Sequence, residues 1–167
     1  MQQLDHNQTL NQLQQFPITI VCDTIRTPEN IGMCFRISEN FGVSKIYIHK
    51  NSPSLENNTV KRTARNTLKN LSSDYYSDID LLITNLKKEG NIIIGLELTD
   101  ESTNIQDFDF TKHTKIVVFL GSERQGINKL TSLDMSIAIP MYGKNTSMNV
   151  IHSLAIALYE ITNQLTA

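Results

Sequence analysis

An α/β domain with a mainly parallel sheet and helices on both faces is the fold this sequence predicts, and three observations predict it. Five short runs rich in Ile and Val are apolar at both parities, as strands covered on both faces are. Segments with helical periodicity alternate with them, the pattern of a parallel sheet with crossover helices. The 167 residues contain no internal repeat and no linker, and that length suits one core.

In chain order the strand candidates are "ITIVC" (18–22), "KIYIH" (45–49), "NIIIGLEL" (91–98), "KIVVFLG" (115–121) and "SIAIPM" (136–141). The first helix, 28–41, is entered through Thr27-Pro28 and left at Gly42, which suits a left-handed position after the helix. Residues 59–71 read as a second helix. A third spans Ser77 to Glu89, with Ser77 as N-cap, Asp78 and Asp80 in its first turn, Lys87 and Lys88 in its last, and Gly90 closing it. The last is "SMNVIHSLAIALYEITNQL", with Val150, Ile151, Leu154, Ala155, Leu158 and Ile161 at helical spacing and Ser147 as N-cap. Residues 1–16 hold six Gln and two Asn and read as an accessory arm, with Leu4, Leu10, Leu13 and Phe16 on one side of a possible helix. Residues 17–167 form the single domain.

Composition narrows the function classes. No apolar run approaches the ~20 residues of a membrane span, and the N-terminus lacks the basic start and apolar stretch of a signal peptide. Cys22 and Cys34 form neither a CxxC nor a metal-ligand pattern, so no metal is expected and a reduced, cytoplasmic protein is the default. A net charge of −2 does not announce a nucleic-acid binder, but its distribution is uneven. Seven basic residues against two acids lie between Arg36 and Lys69, and five acids without a base lie between Glu97 and Asp109. One face could meet phosphates while another repels them, or both could be solvated surfaces of opposite sign. Phosphate-loop, dinucleotide-turn and nucleophile-elbow motifs are absent.

Ligands of parallel sheets collect beyond the carboxyl ends of the strands, so the segments after them are where chemistry belongs. In "PENIGMCFR", Ile31, Cys34, Phe35 and Ser38 make the packing stripe, and Arg36 lies on another with Gly32 one turn before it. A small residue there lets the guanidinium lean back over the first turn, near Asn30, where a helix start attracts anions. The alternative is a surface Arg paired with Glu39. In "FLGSERQGI", Gly121 and Gly126 bracket a charged turn and allow close backbone approach. In "IPMYGKNTSMNVIHSLAIALYE" an irregular polar loop opens an apolar helix.

In this order and spacing the three segments resemble the signature motifs of the SpoU/TrmH family of RNA ribose 2′-O-methyltransferases, in the SPOUT superfamily. "VKRTARNTLKNL" at 60–71 resembles the family's segment after the second strand, and the likeness covers roughly 17–162. Met148 stands where Leu is usual, which preserves volume. The resemblance implies a C-terminal deep trefoil knot, an exception to the rule against knots. It implies S-adenosylmethionine bound in the knot by loops that include Leu96, Leu120, Gly121, Gly126, Ile139, Met141 and Met148. It also implies a homodimer with the active site shared across the interface of the first-motif and last helices.

The same resemblance carries catalytic roles to Asn30 and Arg36 in the first motif, Glu123 in the second, and Ser147 with Asn149 in the third. The family's Arg is assigned as the base that removes the 2′-hydroxyl proton. Arginine side chains hold their proton tenaciously, so stabilisation of the developing oxyanion and grip on the adjacent phosphate is the physical alternative. Asn30 would orient Arg36 or the ribose, Ser147 and Asn149 would shape the pocket, and Glu123 would organise the loop or a cationic partner. Lys61, Arg62, Arg65 and Lys69 are candidates for tracking RNA phosphates. A compact domain without large extensions favours tRNA over rRNA. Two other readings stay open: a knotted dimer that binds RNA or cofactor without turnover, and a base-methylating SPOUT enzyme.

Overall fold

The computed structural model of the protein describes residues 13–167. Its elements are β1 (Phe16–Cys22), α1 (Pro28–Asn40), β2 (Val43–His49), α2 (Asn58–Ala64), β3 (Ser72–Tyr76), α3 (Ile79–Lys88), β4 (Ile92–Leu96), β5 (Thr103–Asn104), β6 (Ile116–Leu120), β7 (Met135–Ala138) and α4 (Val150–Thr166). The strands form one sheet in the order β3-β2-β1-β6-β4-β7-β5, and every pairing is parallel. Most of the accessory arm predicted over 1–16 lies outside the described residues; Phe16 opens β1.

All five predicted strands are present, and β1, β4 and β6 have consecutive residues buried, as strands covered on both faces do. β6 is central, and its five residues are all buried. One face of the sheet packs on α1, α2 and α4 through residues such as Ile20, Val118, Phe35, Val60 and Leu154. The other packs on α3 through Val21, Val117, Phe119 and Leu86. Burying one such side chain contributes about 1.5–3 kcal/mol. β7 stops at Ala138, short of the predicted Met141, so Ile139 to Met141 is free to line a loop. Gly42, with φ at 64°, leaves α1 in the left-handed conformation its sequence predicts.

Four expectations are corrected. The N-cap of α3 is Asp78, whose carboxylate accepts from the Leu81 amide at 2.9 Å, not Ser77. α4 starts at Val150, capped by Asn149 and not by Ser147: the Asn149 Oδ1 accepts from the Ile151 amide at 2.8 Å. Gly32 makes room for a neighbouring helix and not for Arg36, since a Cβ there would lie 1.9 Å from Thr63 Oγ1 and 2.6 Å from the Val60 carbonyl of α2. The helix predicted over 59–71 ends at Ala64, and a short 3-10 turn, Thr67–Lys69, follows.

Arg65 causes that break. It sits at φ 55°, ψ −128°, a conformation suited to glycine. Holding a branched-free but bulky L-residue there costs on the order of 1–3 kcal/mol. Arg65→Gly is therefore expected to raise the melting temperature by about 2–4 °C. An unchanged or lower melting temperature would show that the backbone is not strained at this turn.

Candidate active site

Three connections converge at the carboxyl ends of adjacent strands β6, β4 and β7. They enclose a cavity of about 610 Å³. Leu96 and Glu97 enter from the end of β4, the Gly121–Gly126 turn from the end of β6, and Ile139, Met141, Ser147, Met148 and Asn149 from the connection between β7 and α4. The turn after β6 is closed on itself, with the Ser122 and Gly126 amides each donating to the other's carbonyl at 3.0 and 3.1 Å. A Cβ on Gly121 would lie 2.2 Å from the Gly126 carbonyl carbon, and Gly126 takes φ 64°, so neither position admits a side chain without rearrangement. Of the residues assigned to cofactor binding, Leu120 alone does not line the cavity. It is fully buried in the core, and its carbonyl accepts from the Asp23 amide at 2.8 Å.

The three motif segments are joined by hydrogen bonds at one side of this cavity. Glu123 accepts from the Arg26 and Thr27 amides, both at 3.0 Å, and from Asn30 Nδ2 at 2.9 Å. Asn149 Nδ2 in turn donates to Asn30 Oδ1 at 3.5 Å. Thr27, the N-cap of α1, makes no side-chain capping bond, so the anion expected at this helix start is the chain's own Glu123. Partial burial alone would push the Glu123 carboxyl up. The donors from Arg26, Asn30, its own amide and Thr27 outweigh it and hold the group down at about 2.

This chain of bonds fixes orientation. A carboxylate only accepts, so Glu123 forces the Asn30 amide to present its oxygen to Asn149. Asn149 cannot turn over either, because its oxygen caps α4 while its nitrogen reaches Asn30. Ser147 is exposed at the cavity and, among the described residues, its hydroxyl has no hydrogen-bond partner. It is therefore free to meet a ligand.

Arg36 is not part of this group. It lies half-buried on α1, does not line the cavity, and has no ion pair or hydrogen bond among the described residues. Glu39, its alternative partner, instead accepts from Asn70 Nδ2 at 3.2 Å. Of the basic candidates, Lys61 is tied to Glu56, while Arg62, Arg65 and Lys69 are exposed. Sequence reasoning missed Glu97, the first residue after β4, although position directly beyond a parallel strand is itself the signal.

Residues 17–159 match the model of the SpoU rRNA Methylase family. The chain is 29% identical over 161 residues to the 23S rRNA (guanosine-2′-O-)-methyltransferase RlmB of Neisseria meningitidis, covering 93% of this chain and 62% of that protein. It is 27% identical over 153 residues to the tRNA (guanosine(18)-2′-O)-methyltransferase of Escherichia coli K12, covering 90% of this chain and 65% of that protein. It thus spans under two thirds of the length of both relatives. The solved structure of the SpoU methyltransferase AviRb from Streptomyces viridochromogenes, in complex with AdoMet, shares the fold, with a TM-score of 0.81 at 19% identity over 89% of this chain and 60% of that one. The motif order, the joined motif side chains and a family match over almost the whole domain agree: the chain belongs to the SpoU rRNA methylase family.

Proposed function

We propose that this protein transfers a methyl group from S-adenosylmethionine to a ribose 2′-hydroxyl in RNA. The observation that carries this is the Glu123–Asn30–Asn149 chain of hydrogen bonds beside a cavity of cofactor size at the carboxyl ends of β4, β6 and β7. The cavity fits the cofactor. Leu96, Ile139, Met141 and Met148 offer apolar walls, the Gly121–Gly126 turn offers backbone that a ligand can approach, and Leu120 anchors that turn in the core. When bound, the cofactor supplies an electrophilic methyl on a sulfonium.

The chain's residues then have to hold the ribose in line, exclude water and manage one proton. Alignment of hydroxyl and methyl supplies much of the rate. Ser147 and Asn149 position the ribose, and Asn30, locked by Glu123, presents a fixed polar group to it. Arg36 stabilises the oxyanion as the 2′-hydroxyl proton leaves, and the adjacent phosphate accepts that proton. Because Arg36 lies outside its own chain's cavity, it serves the cavity of a second copy in a homodimer.

The exposed face of α4 supports that assembly. Ile151, Leu154, Leu158 and Ile161 are spent on the chain's own core, which leaves a separate stripe, His152, Ile156, Tyr159 and Asn163, in solvent. A C-terminal trefoil knot is supported by the strand order, and by α4 crossing the connection before β6, where Gln164 bonds both the Phe110 amide and the Phe108 carbonyl. Among the described residues no helix is long and apolar enough to cross a membrane. The protein works in the cytoplasm, where the free, buried thiols of Cys22 and Cys34 stay reduced.

Arg62, Arg65 and Lys69 track RNA phosphates. RNA affinity is then expected to fall with a log–log salt slope of about −2, at roughly 0.7 per phosphate neutralised. Filter binding across a tenfold range of salt measures it, and a flat titration would remove these residues from the interface. The direct test of the function is label transfer from S-adenosylmethionine to unmodified tRNA and rRNA in separate reactions. Label in either supports an RNA methyltransferase and names its substrate class. Cofactor binding with no label in either would favour a binding module.

A further inference from the structure

The cavity's charged side chains are Glu97, Glu123 and Arg124. Glu123 is committed to the start of α1, as its three donors show. Glu97 is differently placed. Half-buried, it accepts from the Leu98 amide at 3.1 Å through Oε1 and from the Ile127 amide at 3.3 Å through Oε2. Its Oε2 packs so closely on Gly126 that a Cβ there would lie 2.4 Å away. Two backbone amides hold the carboxylate in one orientation, and no cationic side chain pairs with it among the described residues. A fixed, unpaired carboxylate in the wall of this cavity, whose lining is mixed polar and apolar, favours a cation placed beside it.

We propose that Glu97 is the residue by which this cavity prefers the sulfonium cofactor to its thioether product. The inference rests on the reading of the cavity as the S-adenosylmethionine site. S-adenosylmethionine carries a net positive charge, and S-adenosylhomocysteine, having lost the methyl cation, carries none. A carboxylate held in the wall favours the first and is indifferent to the second. Glu97 thereby opposes product inhibition. Its hydrogen bonds also tie the end of β4 to the turn after β6, so charge and scaffolding must be separated experimentally.

Calorimetry with the intact protein separates them. The probes are S-adenosylmethionine, S-adenosylhomocysteine and sinefungin, whose amine supplies a cation without a transferable methyl. Wild-type protein is expected to bind both cationic ligands on the order of tenfold more tightly than S-adenosylhomocysteine. In Glu97→Gln, whose amide nitrogen must face either the Leu98 or the Ile127 amide, all three ligands should weaken, and the cationic ones further, so that the preference collapses to within about twofold. Equal weakening of all three ligands would make Glu97 a scaffold only and overturn the proposal. So would a wild-type protein with no preference for cations, a result that needs no variant to fold. If wild-type protein binds none of the three, the cofactor reading of the cavity fails. Binding of all three without preference would leave that reading standing and sink only the role of Glu97.

Discussion

Arg36→Ala is expected to lower methyl transfer by about 10²–10³-fold or more while leaving the affinity for S-adenosylmethionine within about twofold. The magnitude is that of removing one preorganised donor from a developing oxyanion. The selectivity follows from position. Arg36 does not line its own chain's cavity, so its loss removes none of that cavity's walls. It is held on α1, directly after Cys34 and Phe35 in sequence but off their packing stripe, by a helix whose other side is locked into the core. Arg36→Lys retains the charge but not the planar fork, and is expected to recover only part of the rate. Parallel loss of cofactor binding and transfer in Arg36→Ala would instead make Arg36 a structural residue of α1. Transfer that survives intact would remove it from the chemistry.

The second large effect belongs to Glu123. Its carboxylate orients Asn30, and through Asn30 it orients Asn149. Glu123→Ala frees both amides, and a misplacement of about 1 Å in such a site can cost on the order of 10²-fold. Glu123→Gln is no substitute, because its amide nitrogen would face a donor at either the Arg26 or the Asn30 side. The same network makes a pH prediction. A carboxyl held at about 2 when folded, against an ordinary value of 4.5, stabilises the fold at pH above the ordinary value. That contribution is lost as pH falls through the folded value. Allowing for its solvent exposure, the stabilisation is about 1 kcal/mol. The melting temperatures of wild type and Glu123→Ala should differ at pH 7 and converge between pH 4.5 and 2. A gap that stays constant over that range would mean the hydrogen bonds to Glu123 do not favour its charged form.

Much of this architecture is legible in the chain because the central strands advertise themselves. β1, β4 and β6 are apolar at both parities and have consecutive residues buried, as cover on both faces demands, whereas β2 buries Ile46 and Ile48 and leaves Lys45, Tyr47 and His49 on the other parity half-buried. β3 is not legible: its "SSDYY" lies at the sheet edge with only Tyr76 buried, and it is recruited by pairing with β2, not by hydrophobicity. β5 has two residues and no periodicity to read. The site divides in the same way. Its residue types and their order can be read along the sequence, but their partners cannot. Ser147 and Asn149 both make good caps, and the choice of Asn149 depends on Asn30, over a hundred positions away. Gly32 looks like space for a neighbour on its own helix, because nothing local announces the approach of α2. Glu97 is hidden among acids that read as a solvated surface.

Everything proposed for Arg36, Asn30 and Asn149 turns on the acceptor atom being the ribose 2′-oxygen. The measurement is transfer from methyl-labelled S-adenosylmethionine to unmodified tRNA and rRNA, followed by digestion to nucleosides and mass spectrometry. Ribose methylation puts the label on a nucleoside whose added methyl stays with the ribose when the glycosidic bond is cleaved. A methyl that leaves with the base would contradict it, and with it the oxyanion role of Arg36.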